Sequence, residues 1–286
     1  MTNFELFRLK QAGMSNLFIN RFLAFIECNK TEFSPENVLL LLPEFIRQAN
    51  MRHKALFWEK FRQLDLKHTR KCFLKFSSLS ILDSHYPMYL KESYNPPVLL
   101  FYQGDISLLT YEKLGFVGSR SCSMTGISSV QKVIKELNNK FVIISGLARG
   151  IDTACHVAAI KNGGKTIAVI GTGLDVYYPK ENKQLQEYIS KNHLILSEYS
   201  PGEQPLKYHF PERNRVIAGL SRGVVVTEAK IRSGSLITCE YAMAEGRDVF
   251  AIPGAVTDGL SDGCHRLIQQ GAKLVYQGHD ILSEYL

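Results

Sequence analysis

The sequence predicts an α/β protein: a doubly wound, mostly parallel sheet preceded by a small all-helical domain. Three observations predict it. Residues 1–75 place apolar side chains at helical spacing. From residue 114 short, continuous apolar runs alternate with helical stretches, the pattern of strands buried on both faces. Gly- and Ser-rich loops follow those runs, as they do at the carboxyl ends of parallel strands.

In chain order, FELFRLKQ, NLFINRFLAFIECN, PENVLLLLPEFIRQA and KALFWEKFRQLDLKHTRKCF predict four or five short helices, punctuated by Gly13, Asn29 and Ser34-Pro35. AGMSNLFINRFLAF also fits a degenerate helix–turn–helix, although an ordinary helical interaction domain accounts for it better. Residues 76–110 turn rich in Pro, Tyr and Gly around a strand-like VLLFYQGD and mark the entry into a second domain, 76–286. The strand–helix rhythm then runs through LGFVGSR, FVIISGLARGID, TIAVIGTGLD, LILSEYSPG, GVVVTEAKIRSGS and RDVFAIPGAVTDG, and closes on KLVY.

The 286 residues carry a formal charge of +7 and a pI of about 9.0, which hints at a polyanionic partner. The excess is local. Residues 1–75 hold 13 Lys+Arg against 7 Asp+Glu, while the remainder holds 21 against 20. A solvated helical surface explains that excess at least as well as nucleic acid does. No apolar run approaches the ~20 residues of a membrane span. MTNFELFRLKQ lacks the pattern of a secretion signal. The six scattered cysteines form no C-x-x-C pair, so a cytoplasmic, reducing location is expected, with no metal site and no cofactor.

The most unusual stretch is YHFPERNRVIAGLSRG, 208–223. Glu212–Leu220 reads as a helix with Arg213, Asn214 and Arg215 in its first turn. Arginines there oppose the helix dipole, so either an anion, most simply phosphate, or an interior carboxylate partner should account for them. Ligands of doubly wound sheets bind beyond the carboxyl ends of the strands. The loops expected there include Gly118-Ser119-Arg120, Ser145-Gly146 through Arg149-Gly150, Gly171-Thr172-Gly173 and Arg232-Ser233-Gly234-Ser235. Small residues with interspersed arginines suit phosphate oxygens. Familiar catalytic motifs fail: GGKT at 163–166 lacks the P-loop glycine at Ala159, Val176 stands where a dinucleotide fingerprint needs its third glycine, and no G-x-S-x-G occurs. His156 reads as a structural histidine, and Asp152 and Asp175 as loop braces.

Taken together, GSR (118–120), SGLARGID (145–152), AVIGTGLDVYYP (168–179), SEYSPG (197–202), FPERNRVIAGLSRGVVVTEA (210–229), SGSLIT (233–238), GRDVFAIPG (246–254) and GCHRLIQQGA (263–272) closely resemble the DNA-processing protein A family, DprA/Smf. The resemblance covers about residues 80–286, and the N-terminal helices resemble the sterile-alpha-motif-like domain of many members. It implies an extended Rossmann fold that binds single-stranded DNA, protects it, forms homodimers and loads the RecA recombinase during natural transformation, without catalysis. Position by position it implies DNA contacts from Arg120, Lys180 and Lys207, with Phe210 as a stacking aromatic. Gly118, Ser119, Ser145, Gly146, Arg149, Arg213, Asn214, Arg215, Ser233 and Gly234 are expected to complete the DNA site. Many members add a C-terminal winged helix, and the sequence stops just past the last expected strand, so duplex binding through that domain is not expected.

Two other readings stay open on the residues. One is a nucleotide-processing, phosphoribohydrolase-like enzyme, with Glu228, Glu240 or Glu245 as its carboxylate. The other is a protein-interaction scaffold. For the homodimer, the final helix and strand should lie at a sheet edge. Leu267, Ile268, Leu274 and Val275 would supply its apolar surface and His265 its rim, unless those side chains fill the protein's own core.

Overall fold

The computed structural model describes residues 2–285. Five helices come first: α1 (Thr2–Gln11), α2 (Asn16–Cys28), α3 (Pro35–Gln48), α4 (Lys54–Gln63) and α5 (Leu66–Phe73). Their starts follow from capping chemistry. Ser15, Ser34 and Asp65 accept hydrogen bonds from the free N–H groups of α2, α3 and α5, and Pro35 occupies the first position of α3, where no N–H is needed. Ile19, Phe22 and Ile26 recur at helical spacing along α2 and are buried, with Phe22 packed on Phe45 of α3 at 5.0 Å between ring centroids.

The rest is a nine-stranded sheet. Its elements are β1 (Ser77–Ser80), α6 (Met88–Lys91), β2 (Leu99–Gly104), β3 (Lys113–Gly118), α7 (Met124–Glu136), β4 (Val142–Ser145), α8 (Ile151–Lys161), β5 (Thr166–Ile170), α9 (Lys183–Asn192) and β6 (Leu194–Ser197). They continue with α10 (His209–Leu220), β7 (Gly223–Thr227), α11 (Gly234–Ala244), β8 (Asp248–Ile252), α12 (Asp262–Gln269), β9 (Lys273–Leu274) and α13 (Gly278–Leu282). The strand order is β1-β2-β6-β5-β4-β3-β7-β8-β9. Seven strands from β6 to β9 are parallel, and β1 and β2 add an antiparallel edge. This is an extended Rossmann-like sheet, wound in both directions from β3, with β4 to one side and β7 to the other. The carboxyl ends beside that reversal are where such a sheet takes ligands.

The helices and the sheet share one core. Phe7 of α1 is buried edge-on against Phe101 of β2, 5.5 Å between centroids. Truncating such a ring costs about 3–5 kcal/mol. Beside it Glu198, just past the end of β6, is mostly shielded and gathers Lys10 from α1, Asn16 from α2 and Arg215 from α10. Burial alone would raise its carboxyl pKa. The Lys10 and Arg215 charges and the Asn16 hydrogen bond outweigh burial and hold it below the usual carboxylate range.

Three expectations change. Helix α10 begins at His209, not Glu212, because Pro211 falls in a first turn whose N–H groups have no intrahelical partner. Glu212 therefore sits in that first turn, and Arg213 and Arg215 lie one turn further in. At the far edge, β9 does flank the sheet, but Leu267 and Val275 are buried within the protein's own core. Leu274 is half exposed, and Ile268 and His265 are partly exposed. Helix α13 follows the expected last strand, and its Ile281 is buried beneath it.

Candidate nucleic-acid interface

Each strand that ends near the reversal contributes one piece of a cleft. After β3, a side chain on Gly118 would run into the Thr227 carbonyl and Ile151. The Ser119 N–H donates to Thr227 O, and the Ile151 N–H donates to Ser119 O at 3.1 Å. The loop is thereby locked, and Arg120 projects from it, exposed. Among the described residues no carboxylate pairs with Arg120. Its guanidinium instead lies 5.2 Å from the centre of the Phe210 ring.

After β4, Asp152 braces the loop, accepting the N–H groups of Gly146 at 3.1 Å and Ala148 at 3.3 Å. This is the bracing role expected for it. Burial raises its carboxyl pKa, and the nearby Arg213 charge pulls the other way. Asn182 donates to the Leu147 carbonyl at 2.9 Å and Thr153 Oγ1 at 2.8 Å, so the loop is held from both sides. Arg149 stays exposed and pairs with the equally exposed Glu181, a contact worth little in water.

After β5, Gly171 lies against the Phe210 ring, where a Cβ would make an ordinary van der Waals contact at 3.4 Å. The loop continues to Tyr178 and Pro179. Asp175 anchors it, accepting the Gly202 N–H at 2.7 Å and Lys75 Nζ at 2.5 Å. Tyr178, itself partly exposed, lies 5.4 Å from Phe210 between ring centroids.

Helix α10 delivers the last two groups. His209 is buried, stacked 3.9 Å from Tyr199, with Nδ1 3.0 Å from Gly171 O. That contact fixes the helix start, so Phe210 faces the β5 loop. Arg213 is only 5% exposed. Its Nη1 donates to Val169 O at 2.7 Å and to Gly146 O, and its Nε donates to Asn214 Oδ1 at 3.1 Å. Burial lowers its pKa, Asp152 opposes that, and it remains a cation beneath the cleft floor.

The result is a cleft lined by Arg120, Gly146, Ala148, Arg149, Gly171, Tyr178, Pro179, Phe210 and Arg213. Among the described residues no acidic side chain lines it. Lys180 follows Pro179, Lys207 precedes Phe210 by three residues, and both are exposed. An aromatic floor, a cation above it and flexible lysines at the rim suit a base and its phosphates.

The structure reassigns several expected contacts. Ser145 is buried and donates to Phe116 O at 2.7 Å, because its hydroxyl is needed to satisfy the sheet. Arg215 is buried against Glu198 and the Asn95 carbonyl, turned away from the cleft. Ser233 and Gly234 start α11, where Ser233 caps the helix and Gly234 O accepts from Asn214 Nδ2 at 3.2 Å. Asn214 thus ties α10 to α11 instead of lining the cleft. Arg213 supports the cleft as a brace under its floor. The residue missed is Tyr178, whose signal was the Tyr177-Tyr178-Pro179 run just before Lys180.

The carboxylates of the enzyme reading lie elsewhere. Glu228, held at a positive φ of 48°, accepts from the Ser123 N–H at 2.7 Å and from its hydroxyl, and closes the start of α7. Glu245 sits at the far end of α11, half-buried.

The sequence profile of the family described as DNA recombination-mediator protein A matches residues 77–286. That of the DNA processing protein A sterile alpha motif domain matches residues 1–69. The chain belongs to the DNA processing protein A (DprA) family. It is 59% identical to the DprA of Streptococcus pneumoniae over 285 residues, 100% of this chain and 99% of that one. It is 46% identical to the Bacillus subtilis DprA over 210 residues, 73% and 71% of the two chains. The crystal structure of the pneumococcal DprA superposes with a TM-score of 0.94 at 58% identity, covering 100% of this chain and 99% of that one. The Helicobacter pylori DNA processing protein A, described for its unique single-stranded DNA binding mode, matches with a TM-score of 0.64 at 30% identity, over 73% of this chain and 95% of its own. The DprA family is one of recombination mediators, and the N-terminal helices form its SAM-like domain. Among the described residues no helix is long and apolar enough to cross a membrane.

Proposed function

We propose that the cleft binds single-stranded DNA, with a base against Phe210 and Tyr178 and phosphates on Arg120, Lys180 and Lys207. One observation carries the reading: among the described residues Arg120 has no carboxylate partner, and it stands over a half-buried aromatic ring in a cleft that none of them lines with an acidic side chain. A strand threaded there presents a π-face to the ring and a phosphate to the guanidinium at once. The single-strand binding of the Helicobacter relative supports it.

In the same reading the protein acts in the cytoplasm as a homodimer joined along β9, shields incoming single strands during natural transformation, and hands them to the RecA recombinase. The family's description as recombination mediators supports the handover, and the exposed Leu274 on an edge strand supports the dimer. The test is oligonucleotide binding across a salt series for the alanine variants of Arg120, Lys180 and Lys207. Each lost phosphate contact lowers the slope of log affinity against log salt by about 0.7. Unchanged slopes in folded variants would refute the assignment.

A further inference from the structure

The basic excess of the N-terminal helices is concentrated in its last third. Residues 52–75 contain eight lysines and arginines against Glu59 and Asp65. All eight are exposed. Neither acid neutralises them: Asp65 is engaged capping α5, where it accepts the N–H groups of Lys67 and His68, and Glu59 accepts from Gln63. Among the described residues only Lys75 of the eight has a carboxylate within 4.0 Å.

The three cations of α5 crowd one another. Lys67, Arg70 and Lys71 fall three and four residues apart on α5, so they share one exposed face and repel one another. Lys67 also lies in the first turn, the positive end of the helix dipole. Arg70 and Lys71 fall in the last turn, where the dipole favours cations, and Arg70 lies 6.0 Å from the centre of the Phe4 ring, but α5 itself carries no acidic residue to offset the mutual repulsion of the three along this short ridge.

The position of this ridge supplies a reason. Lys75, two residues beyond α5, binds Asp175 at 2.5 Å. Asp175 belongs to the β5 loop, which lines the cleft through Tyr178 and Pro179 and continues into Lys180 and Lys183. The end of α5 therefore abuts the rim of the cleft, and exposed cations run from that rim onto the helical domain.

We propose that the α5 face of the N-terminal domain is a second, sequence-independent contact for the same single strand, holding the phosphates of nucleotides that leave the cleft. The proposal rests on the cleft reading above and assigns the SAM-like domain a direct part in binding. A helix face of this kind neutralises backbone charge without reading bases, so it lengthens the occupied site and steepens the salt dependence.

The test uses the full chain with Lys67→Gln, Arg70→Gln and Lys71→Gln combined, and two labelled oligothymidylates. One has about six nucleotides, enough for the cleft, and the other about 20, within reach of both surfaces. For the long oligonucleotide the triple variant should lose about 2 from the salt slope, at about 0.7 per phosphate. Its binding of the short one should equal wild type. On wild type, the long oligonucleotide should protect the Lys67 and Lys71 amines from acetylation, and the short one should not. An unchanged slope with unprotected lysines, the result expected of a face that meets an acidic protein, overturns the proposal. So does an equal loss for both lengths. If wild type binds neither oligonucleotide, the cleft reading fails and this extension fails with it. Wild-type binding that Arg120→Ala weakens but the triple variant leaves intact retains the cleft and removes the extension.

Discussion

Arg213 is the residue whose assigned role is most exposed to a single substitution. In Arg213→Leu the carbonyls of Gly146 and Val169 lose their buried donor, at about 1–3 kcal/mol each. The main cation near the buried Asp152 also disappears, which makes that carboxylate harder still to keep charged. These losses belong to one network and do not add in full. A total of about 3–5 kcal/mol is the working figure. At roughly 2–4 °C per kcal/mol for a chain of this size, the melting temperature should fall by about 6–20 °C. The assay is calorimetric melting, with oligonucleotide binding measured well below the transition. Arg213→Lys, which keeps the charge but loses the Nε donor to Asn214 and the planar reach to the two carbonyls, should fall between. A variant that melts within about 2 °C of wild type yet has lost binding would refute the bracing role and make Arg213 a phosphate ligand.

Phe210→Leu keeps apolar bulk against Gly171 but removes the stacking face. It should weaken single-strand binding by about 1–3 kcal/mol, roughly 5- to 150-fold, at a nearly constant melting temperature. A melting collapse with intact binding would make it a core residue. His156 is buried on Thr166, and burial pushes its pKa down to about 3. Folded it stays neutral, whereas unfolded it takes a proton near 6.5. Stability present above pH 6.5 should therefore be lost toward pH 3 by about 1.4 kcal/mol per pH unit from this group, and His156→Gln should flatten that slope in pH-dependent melting. Leu274→Glu with Ile268→Glu should leave the fold intact and halve the mass of the wild-type particle in light scattering. A monomeric wild type at micromolar concentration rejects the β9 interface.

The sheet was legible because its strands are buried on both faces and therefore read as unbroken apolar runs between Gly-rich loops. Strand β1, the polar SSLS, has neither an apolar run nor an alternation, and only pairing with β2 makes it a strand. Arg120 was legible because it stands in the Gly-Ser loop after β3, whose small neighbours leave it exposed. Lys180, Lys207 and Phe210 were reached through the family resemblance, since Phe210 lies in the first turn of α10 beside Tyr208 and His209. The arginines of α10 were not legible. Arg213 and Arg215 are two residues apart, so they point to different sides of the helix. One meets strand-end carbonyls and the other meets Glu198, which are partners from distant parts of the chain. Ser145 illustrates the same limit, since its hydroxyl looks available in the loop sequence and is taken up by the Phe116 carbonyl. Leu267 and Val275 read as interface residues because periodicity marks an apolar face without saying which surface covers it.

The central claim is that a base of single-stranded DNA stacks in the cleft against the side chain at position 210. Trp58 is the only tryptophan, so Trp58→Phe with Phe210→Trp places a single fluorophore at that position. Titration with oligothymidylate should quench its emission saturably, with the same midpoint as fluorescence anisotropy of the labelled strand. Full-strength binding by anisotropy with unchanged tryptophan emission would contradict the account.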